Sequence, residues 1–187
     1  YPLVAEHQVE TIHTMLDELE NALRQFPENF LLKTVEAGWI HINLVRKVDD
    51  RLLSAQYWYE GDCYITIADW SNVSGEFYKG LGYAIDSHVL GNSRKLDTWN
   101  DLNPKGFAYT YNSEPREDQT DWLGEGSAFL SAEALNYPHH DRAAVFFYAM
   151  TEGGAEVFTS GCNVPAIRIL CASISSNKIG CNTRKRS

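Results

Sequence analysis

The chain has 187 residues, of which 44% are hydrophobic and 22% charged, with a formal net charge of -9 at pH 7. This size and composition suit one domain with a full hydrophobic core, over residues 1–187, and a frayed basic tail at about 182–187. The negative charge disfavours nucleic acid as a partner, and no apolar stretch reaches the roughly 18 residues of a membrane span. We therefore expect neither nucleic acid nor a membrane as a partner.

The first segment predicts an amphipathic helix that ends at Pro27, because apolar residues recur in it at steps of three and four. Its expected core face comprises Val9, Ile12, Leu16, Leu19, Leu23 and Phe26. A helix of this kind packs its apolar face against the rest of the domain.

A small β-sheet is predicted next. Residues 38–48 alternate Ile40, Ile42 and Leu44 with polar residues, so that His41 is a polar residue on the opposite face of the strand. Residues 57–69 predict two further strands around a Glu60-Gly61-Asp62 turn.

A second helix is predicted over 74–90, with Ser74 near its start and Gly91 at its end. The stretch 92–124 has isolated aromatic residues and little periodicity, which indicates a long ordered loop held by its rings. Further helices are predicted near 126–136, 140–151 and 164–177. The sequence therefore predicts an α+β fold, with an N-terminal helix, a small mixed sheet and a helical C-terminal half.

The four cysteines favour an oxidising compartment. Cys63, Cys162, Cys171 and Cys181 contain no C-x-x-C pair, and we expect two disulfides, with Cys63 joining one of the other three. Four reduced thiols in a cytosolic protein are the alternative, and the sequence does not choose among the three connectivities. The triplet Asn72-Val73-Ser74 is a glycosylation sequon, and together these features predict a secreted glycoprotein.

Three segments carry a resemblance to a known family. They are the frame "KGLGYAID" (79–86), the segment "WNDLNPKGFAYTY" (99–111) and the helix "DRAAVFFYAMTEG" (141–153). In their order and spacing they resemble the anthrax lethal factor-like, Pro-Pro endopeptidase-like zinc metallopeptidases. The resemblance spans roughly residues 40–175 and implies a zincin-like fold, a single metallopeptidase-like domain in which an edge strand lies over the active-site helix.

The same resemblance implies that the zinc site has been lost. The family's H-E-x-x-H motif falls on Lys79, Gly80 and Tyr83, and its third ligand falls on Ala144, while the family's tyrosine is retained at Tyr137. None of the four replacing residues is a good zinc ligand or a general base in this arrangement. We therefore expect no metal, no cofactor and no catalytic residue, which is typical of a secreted pseudo-metallopeptidase.

A cleft that binds without cutting follows from this interpretation. The strand Tyr64–Ala68 is expected to offer its edge to an extended peptide, and the side chains of Lys79, Tyr83 and Tyr137 to contact it. The predicted cleft residues on that strand are Tyr64, Ile65, Thr66 and Ile67. The peptide or protein ligand is not identified by the sequence.

Two alternatives stay open. The chain could be an active enzyme that uses Lys79 and Tyr137, or a relocated metal site near 139–141 with Glu156 as a substitute carboxylate. A structural or effector-like protein would instead use its outer surfaces and leave the cleft idle.

Overall fold

The computed structural model describes residues 8–48, 54–69, 71–89, 98–112, 122–123 and 128–151. Within these ranges the chain forms four α-helices and three β-strands. In chain order they are α1 (Val9–Leu23), α2 (Glu28–Thr34), β1 (Ile40–Val45), β2 (Ser54–Tyr59), β3 (Asp62–Ala68), α3 (Val73–His88) and α4 (Pro138–Met150). Short 3-10 helices cover Thr98–Leu102 and Glu133–Leu135. The predicted α+β class is confirmed, and none of the described helices combines the length and apolarity needed to cross a bilayer.

The sheet is mixed, with β3 in the centre. Its strand order is β1-β3-β2, in which β1 runs parallel and β2 antiparallel to β3. The β2–β3 turn at Glu60 and Gly61 was predicted, and both residues have positive φ (52° and 94°). This is the backbone conformation of a type I′ turn, whose twist matches that of a two-stranded hairpin.

The prediction that β3 is an edge strand is wrong. β3 pairs with a strand on each side, and the side chains of Ile65 and Ile67 are completely buried. The residues of "CYITIA" alternate between buried and partly buried, so β3 is covered by α3 on one face while both of its edges are paired. The edges of the described sheet are β1 and β2.

Helix α3 packs against the buried face of the sheet. Phe77 and Leu81 join Ile65 and Ile67 in the main core, and the predicted alternation of β1 is confirmed because its aliphatic residues pack on the same core. Gly80 permits the close approach, since a Cβ added there would lie 2.6 Å from Ile65 Cγ2. Full burial of each large apolar side chain contributes about 1.5–3 kcal/mol.

The core face of α1 differs from the predicted one. Its buried residues are Met15, Leu19 and Ala22, whereas Val9 and Leu16 are exposed. Of the predicted face, Leu19 is buried, and Leu23 and Phe26 are partly buried and pack against the main core. The buried residues follow the helical spacing of four and three, so the predicted period is confirmed and the predicted face is correct in its C-terminal half.

The helix starts also differ from prediction. The N-cap of α3 is Asn72, whose Oδ1 accepts a hydrogen bond from Gly75 N at 2.9 Å, while Ser74 Oγ donates to the Glu18 carbonyl at 3.3 Å. α4 begins at Pro138, two residues before the predicted helix near 140–151. The described part of 126–136 contains only a 3-10 turn, and the helix predicted at 164–177 lies outside the described residues.

A second, smaller core holds the aromatic loop against α4. Phe107 contacts Tyr109, Trp122 and Phe129, with ring centroids 5.0, 5.7 and 4.2 Å away. These rings pack around Leu135 and other buried residues of the segment before α4. The predicted pinning of the loop by its rings is therefore confirmed for the residues that the structure describes.

Candidate functional site

A cleft of about 270 Å³ opens where the end of β2, the C-terminal half of α3 and the start of α4 meet the aromatic loop. The described residues that line it are Trp58, Tyr83, Asp86, Ser87, Asn100, Tyr111, Tyr137, Pro138, His139 and Arg142. The lining combines aromatic faces with a few polar groups, which is the usual composition of a binding site.

An ion pair links the two helices that border the cleft. Arg142 of α4 donates from Nε to Asp86 Oδ1 of α3 at 2.5 Å, and Asp86 is only 3% exposed. Arg142 also lies over the Trp99 ring, 5.9 Å from its centroid. Removing one partner of a buried pair leaves an uncompensated charge, at a cost of about 3–5 kcal/mol, so this pair fixes α3 and α4 relative to each other.

Aromatic side chains on one side of the cleft contact the N-terminal end of α4. Tyr137, the N-cap residue of α4, donates its hydroxyl to the Tyr111 carbonyl at 2.8 Å. Tyr83 packs edge-on against His139 and His140, with centroids 5.9 and 5.4 Å away. Burial raises the pKa of Tyr83, and Glu133 and Glu76 raise it further, so its hydroxyl stays protonated.

His140 packs against Tyr83 and is not one of the described residues that line the cleft. Burial lowers its pKa, with a smaller effect in the same direction from Lys79, whereas Glu133 raises it. Its Nδ1 is buried and has no hydrogen-bond partner among the described residues. A buried imidazole of this kind is neutral at pH 7, since desolvation disfavours the charged form.

Asp141 fastens the aromatic loop to α4. Its Oδ2 accepts hydrogen bonds from Trp99 Nε1 at 2.7 Å and from the Tyr109 hydroxyl at 2.9 Å. Burial raises the pKa of Asp141 to about 6, although both donors and Arg142 act in the opposite direction. These bonds position the loop that supplies Asn100 and Tyr111 to the cleft.

The four positions of the degenerate zinc motif separate in the structure. Lys79 Nζ lies 2.7 Å from Glu133 Oε2, Gly80 faces Ile65 of the sheet, and Ala144 packs in the second core. Tyr83 alone among them lines the cleft, together with the retained Tyr137. The structure therefore brings together two of the five residues that the resemblance placed in one site.

The predicted contribution of β3 to the cleft is wrong. Tyr64 and Thr66 lie on the outer face of the sheet and Ile65 and Ile67 in the core, because β3 is central and α3 covers one of its faces. Trp58 of β2 lines the cleft instead, although it is not among the predicted site residues. The signal was present in "YWY" (57–59), since three successive rings in one strand must place at least one ring on each face.

A relocated metal site was the alternative at 139–141. Among the described residues, no group of three His, Cys, Asp or Glu side chains is arranged to hold a metal ion. The other carboxylate considered for such a site, Glu156, lies outside the described residues.

Cys63 is a free thiol with a fully buried side chain, so the expected disulfide at Cys63 is not formed in the structure. Burial raises its pKa to about 11. The remaining cysteines, Cys162, Cys171 and Cys181, lie outside the described residues, and for them pairing stays a prediction. Asn72 is exposed at the start of α3, a position open to modification, and its glycosylation also stays a prediction.

Comparison of the chain with models of known protein families, with curated proteins and with solved structures finds no match.

Proposed function

We propose that the protein is a secreted peptide-binding module, built on a degenerate metallopeptidase-like scaffold, that holds an extended peptide along the outer edge of β2. Binding of this kind adds a strand to a sheet, with main-chain hydrogen bonds supplying affinity and side-chain pockets supplying specificity. The observation that carries the proposal is the position of that edge, which runs directly into the cleft through Trp58.

The orientation of the β2 backbone follows from its neighbours. Cys63 N donates to the Trp39 carbonyl and Asp69 N to the Val45 carbonyl, both at 2.8 Å, so the odd-numbered residues of β3 bond to the β1 side. The even-numbered residues of β3 therefore bond to β2, and their partners in β2 are Ala55, Tyr57 and Tyr59.

The intervening residues of β2 point the other way. In an antiparallel pair, hydrogen-bonded and non-hydrogen-bonded positions alternate, so Ser54, Gln56 and Trp58 direct their N–H and C=O groups away from β3. In the described part of the chain, β2 has no second strand partner. β2 also lacks the proline and lysine residues that commonly protect an edge strand.

The side chains of β2 connect this edge with the cleft. Gln56 and Trp58 are paired with Ile65 and Cys63, so they lie on the face of the sheet that α3 covers. A residue of an added strand placed opposite Trp58 would point to the same face, toward Tyr83 and the Asp86–Arg142 pair. The cleft can thus accept one side chain of a peptide whose backbone follows β2.

Binding without cleavage is supported by the positions of the motif residues. Lys79 is engaged by Glu133, and position 80 has no room for a glutamate side chain, since even a Cβ would meet Ile65 at 2.6 Å. Ala144 offers only a methyl group within an apolar cluster. These contacts favour a peptide-binding role over peptidase chemistry at this place. The secreted location is proposed from Cys162, Cys171, Cys181 and the sequon alone, since Cys63 is a free thiol.

The experiment is a titration of isotope-labelled protein with capped nine-residue peptides made of threonine and valine with a lysine at each end, followed by amide NMR. We expect the amide protons of Gln56 and Trp58 to shift and to become protected from exchange, while that of Tyr57 is already protected. The matched variants are Gln56→Pro and Gln56→Thr. Proline removes the outward N–H and is tolerated at such an edge, whereas threonine keeps the N–H.

Loss of binding in Gln56→Pro with retention in Gln56→Thr is the expected result. If the peptides shift only amides far from β2, or bind both variants equally, the proposed edge is not the binding site.

A further inference from the structure

We infer that the peptide recognised by β2 carries an aromatic side chain at the position opposite Tyr57, where its ring continues a stack that crosses the three described strands. This inference rests on the proposed function and adds a sequence preference for the ligand. Tyr57 is then the residue that determines this preference.

The stack consists of three rings on the outer face, one from each strand. His41 of β1 lies over Tyr64 of β3 with centroids 4.4 Å apart and an interplanar angle of 12°, and Tyr64 lies over Tyr57 of β2 at 4.6 Å and 7°. Neighbouring strands lie about 4.7–4.9 Å apart, so the rings repeat at nearly the spacing of the strands. A ring on a fourth strand in the same register would repeat the arrangement once more.

The last ring of the stack is open to solvent on the edge side. Tyr57 is 49% exposed, and the described sheet ends at β2. At the other end His41 is held by Asp62, with Nε2 and Oδ2 2.9 Å apart, and this contact is the largest cause of the lowered pKa of Asp62. The anchored end keeps the rings in register, so the free face of Tyr57 is presented at a fixed angle.

The backbone geometry places the incoming ring close to Tyr57. Tyr57 bonds to β3, so a residue of an added antiparallel strand opposite Tyr57 occupies a non-hydrogen-bonded pair. Cross-strand side chains approach more closely in such pairs than in hydrogen-bonded ones. The neighbouring residue of the peptide lies opposite Trp58, and its side chain points to the other face of the sheet and into the cleft. The recognised dipeptide therefore consists of an aromatic residue next to the residue whose side chain enters the cleft.

The acidic residues near β2 indicate which net charge the bound peptide carries. Glu60 and Asp62 lie at the turn end of β2, and Ser54 at the other end donates to Glu76 of α3. The whole chain carries a net charge of -9. A neutral or basic peptide suits this edge, and an acidic one is repelled.

The test compares three capped nine-residue peptides of threonine and valine, with a lysine at each end, that differ only in the central residue: phenylalanine, cyclohexylalanine or leucine. Affinities are measured by fluorescence polarisation. We expect the phenylalanine peptide to bind about 2- to 12-fold more tightly than the cyclohexylalanine peptide, the range that corresponds to an aromatic pair worth about 0.5–1.5 kcal/mol. Cyclohexylalanine controls for size and apolar surface without an aromatic ring.

Variants of Tyr57 provide the second arm. Tyr57→Leu should abolish the preference for phenylalanine, and Tyr57→Phe should keep it. Because the peptide comparison is made on unaltered protein, it stays informative even if Tyr57→Leu fails to fold.

Each outcome distinguishes the inference from the proposed function. Equal binding of all three peptides, with loss in Gln56→Pro, leaves the binding edge in place and overturns the aromatic preference. Binding that Gln56→Pro does not affect, or no binding at all, overturns both. Concentration-dependent dimerisation in analytical ultracentrifugation that Gln56→Pro abolishes would make a second copy of this chain the occupant of β2, and would also overturn the inference.

Discussion

The hydroxyl of Tyr109 donates to the buried carboxyl of Asp141 at 2.9 Å, joining the aromatic loop to α4 across 32 positions of sequence. The same oxygen of Asp141 accepts from Trp99, so a single buried oxygen fixes two points of the loop. The loop supplies Asn100 and Tyr111 to the cleft, so these two hydrogen bonds help to position part of its lining.

The stability contribution of Asp141 should depend on pH. Its pKa is about 6 in the folded protein against a reference value of 3.8, so the folded state binds the proton more tightly than the unfolded state. The corresponding stability is present below about pH 4 and is lost as the pH rises through about 6. Asp141→Asn should therefore gain up to about 3 kcal/mol relative to wild type between pH 4 and 7.

Urea unfolding of both proteins at several pH values measures this difference. Asp101→Asn, which alters an exposed carboxyl near Trp99, is the control and should not show the change. A difference between wild type and Asp141→Asn that is constant with pH would mean that Asp141 does not titrate in this window.

Lys79 should make little contribution to stability or to peptide binding. Its ion pair with Glu133 is partly exposed, with 29% and 57% of the two side chains accessible, and pairs of this kind contribute about 0–1 kcal/mol. Lys79→Met should therefore lower the free energy of unfolding by less than about 1 kcal/mol, and Glu133→Gln should have a similar effect that is not additive with it.

The same variants report on binding. Lys79→Met should change the affinity for the phenylalanine peptide by less than about twofold, because Lys79 does not line the cleft. A tenfold loss of affinity would show that Lys79 belongs to the binding site, as the family resemblance predicted.

Gly80→Ala should destabilise the protein even though alanine favours a helix by about 1 kcal/mol over glycine. The added Cβ meets Ile65 Cγ2 at 2.6 Å, and overpacking in a core costs about 1–3 kcal/mol. Gly82→Ala is the matched variant, since its Cβ would lie 3.1 Å from Ala143 Cα and should be better tolerated.

Denaturant midpoints of the two variants test this order. The cost of Gly80→Ala should shrink in the background of Ile65→Ala, which removes the atoms that clash. Equal midpoints for Gly80→Ala and wild type would show that α3 can move away from the sheet, and that a larger residue could be placed at position 80.

Cys63 should be unreactive in the folded protein. Its side chain is completely buried and its pKa is raised to about 11, so little thiolate is present or accessible at pH 8. Mass spectrometry after iodoacetamide treatment, with and without urea, should show modification of Cys63 only on unfolding. Absence of modification in urea without a reductant would reveal that Cys63 forms a disulfide.

Local signals predicted much of the fold. Glycine at position 61 and the alternation around His41 are properties of short segments, and they identified the hairpin and β1 correctly. The face of α1 was predicted only in part, because Met15 and Ala22 are weaker apolar signals than Val9 and Leu16, which the fold leaves exposed. Burial is decided by what the helix meets, and a single helix does not reveal that.

The cleft was less predictable than the sheet. Asp86 and Arg142 are 56 positions apart, and no local sequence pattern around either residue indicates that the two form an ion pair. The strand order was missed for the same reason, because β1 pairs with residues 23 positions later in the chain and no turn connects the two strands directly. A buried acid on the apolar side of α3 was the one available hint, since such a residue requires a partner.

The strand order also bears on how the chain folds. The two-residue turn lets β2 and β3 pair locally, which takes about 1–10 μs in isolated hairpins. By contrast, Ile40 of β1 must find Cys63, 23 positions later in the sequence, at a greater entropic cost of loop closure. β3 therefore has a free edge of its own until β1 docks. We expect docking of β1 to be the step at which refolding competes with association between chains, and substitutions in β1 to alter the yield of refolding more than those in the turn.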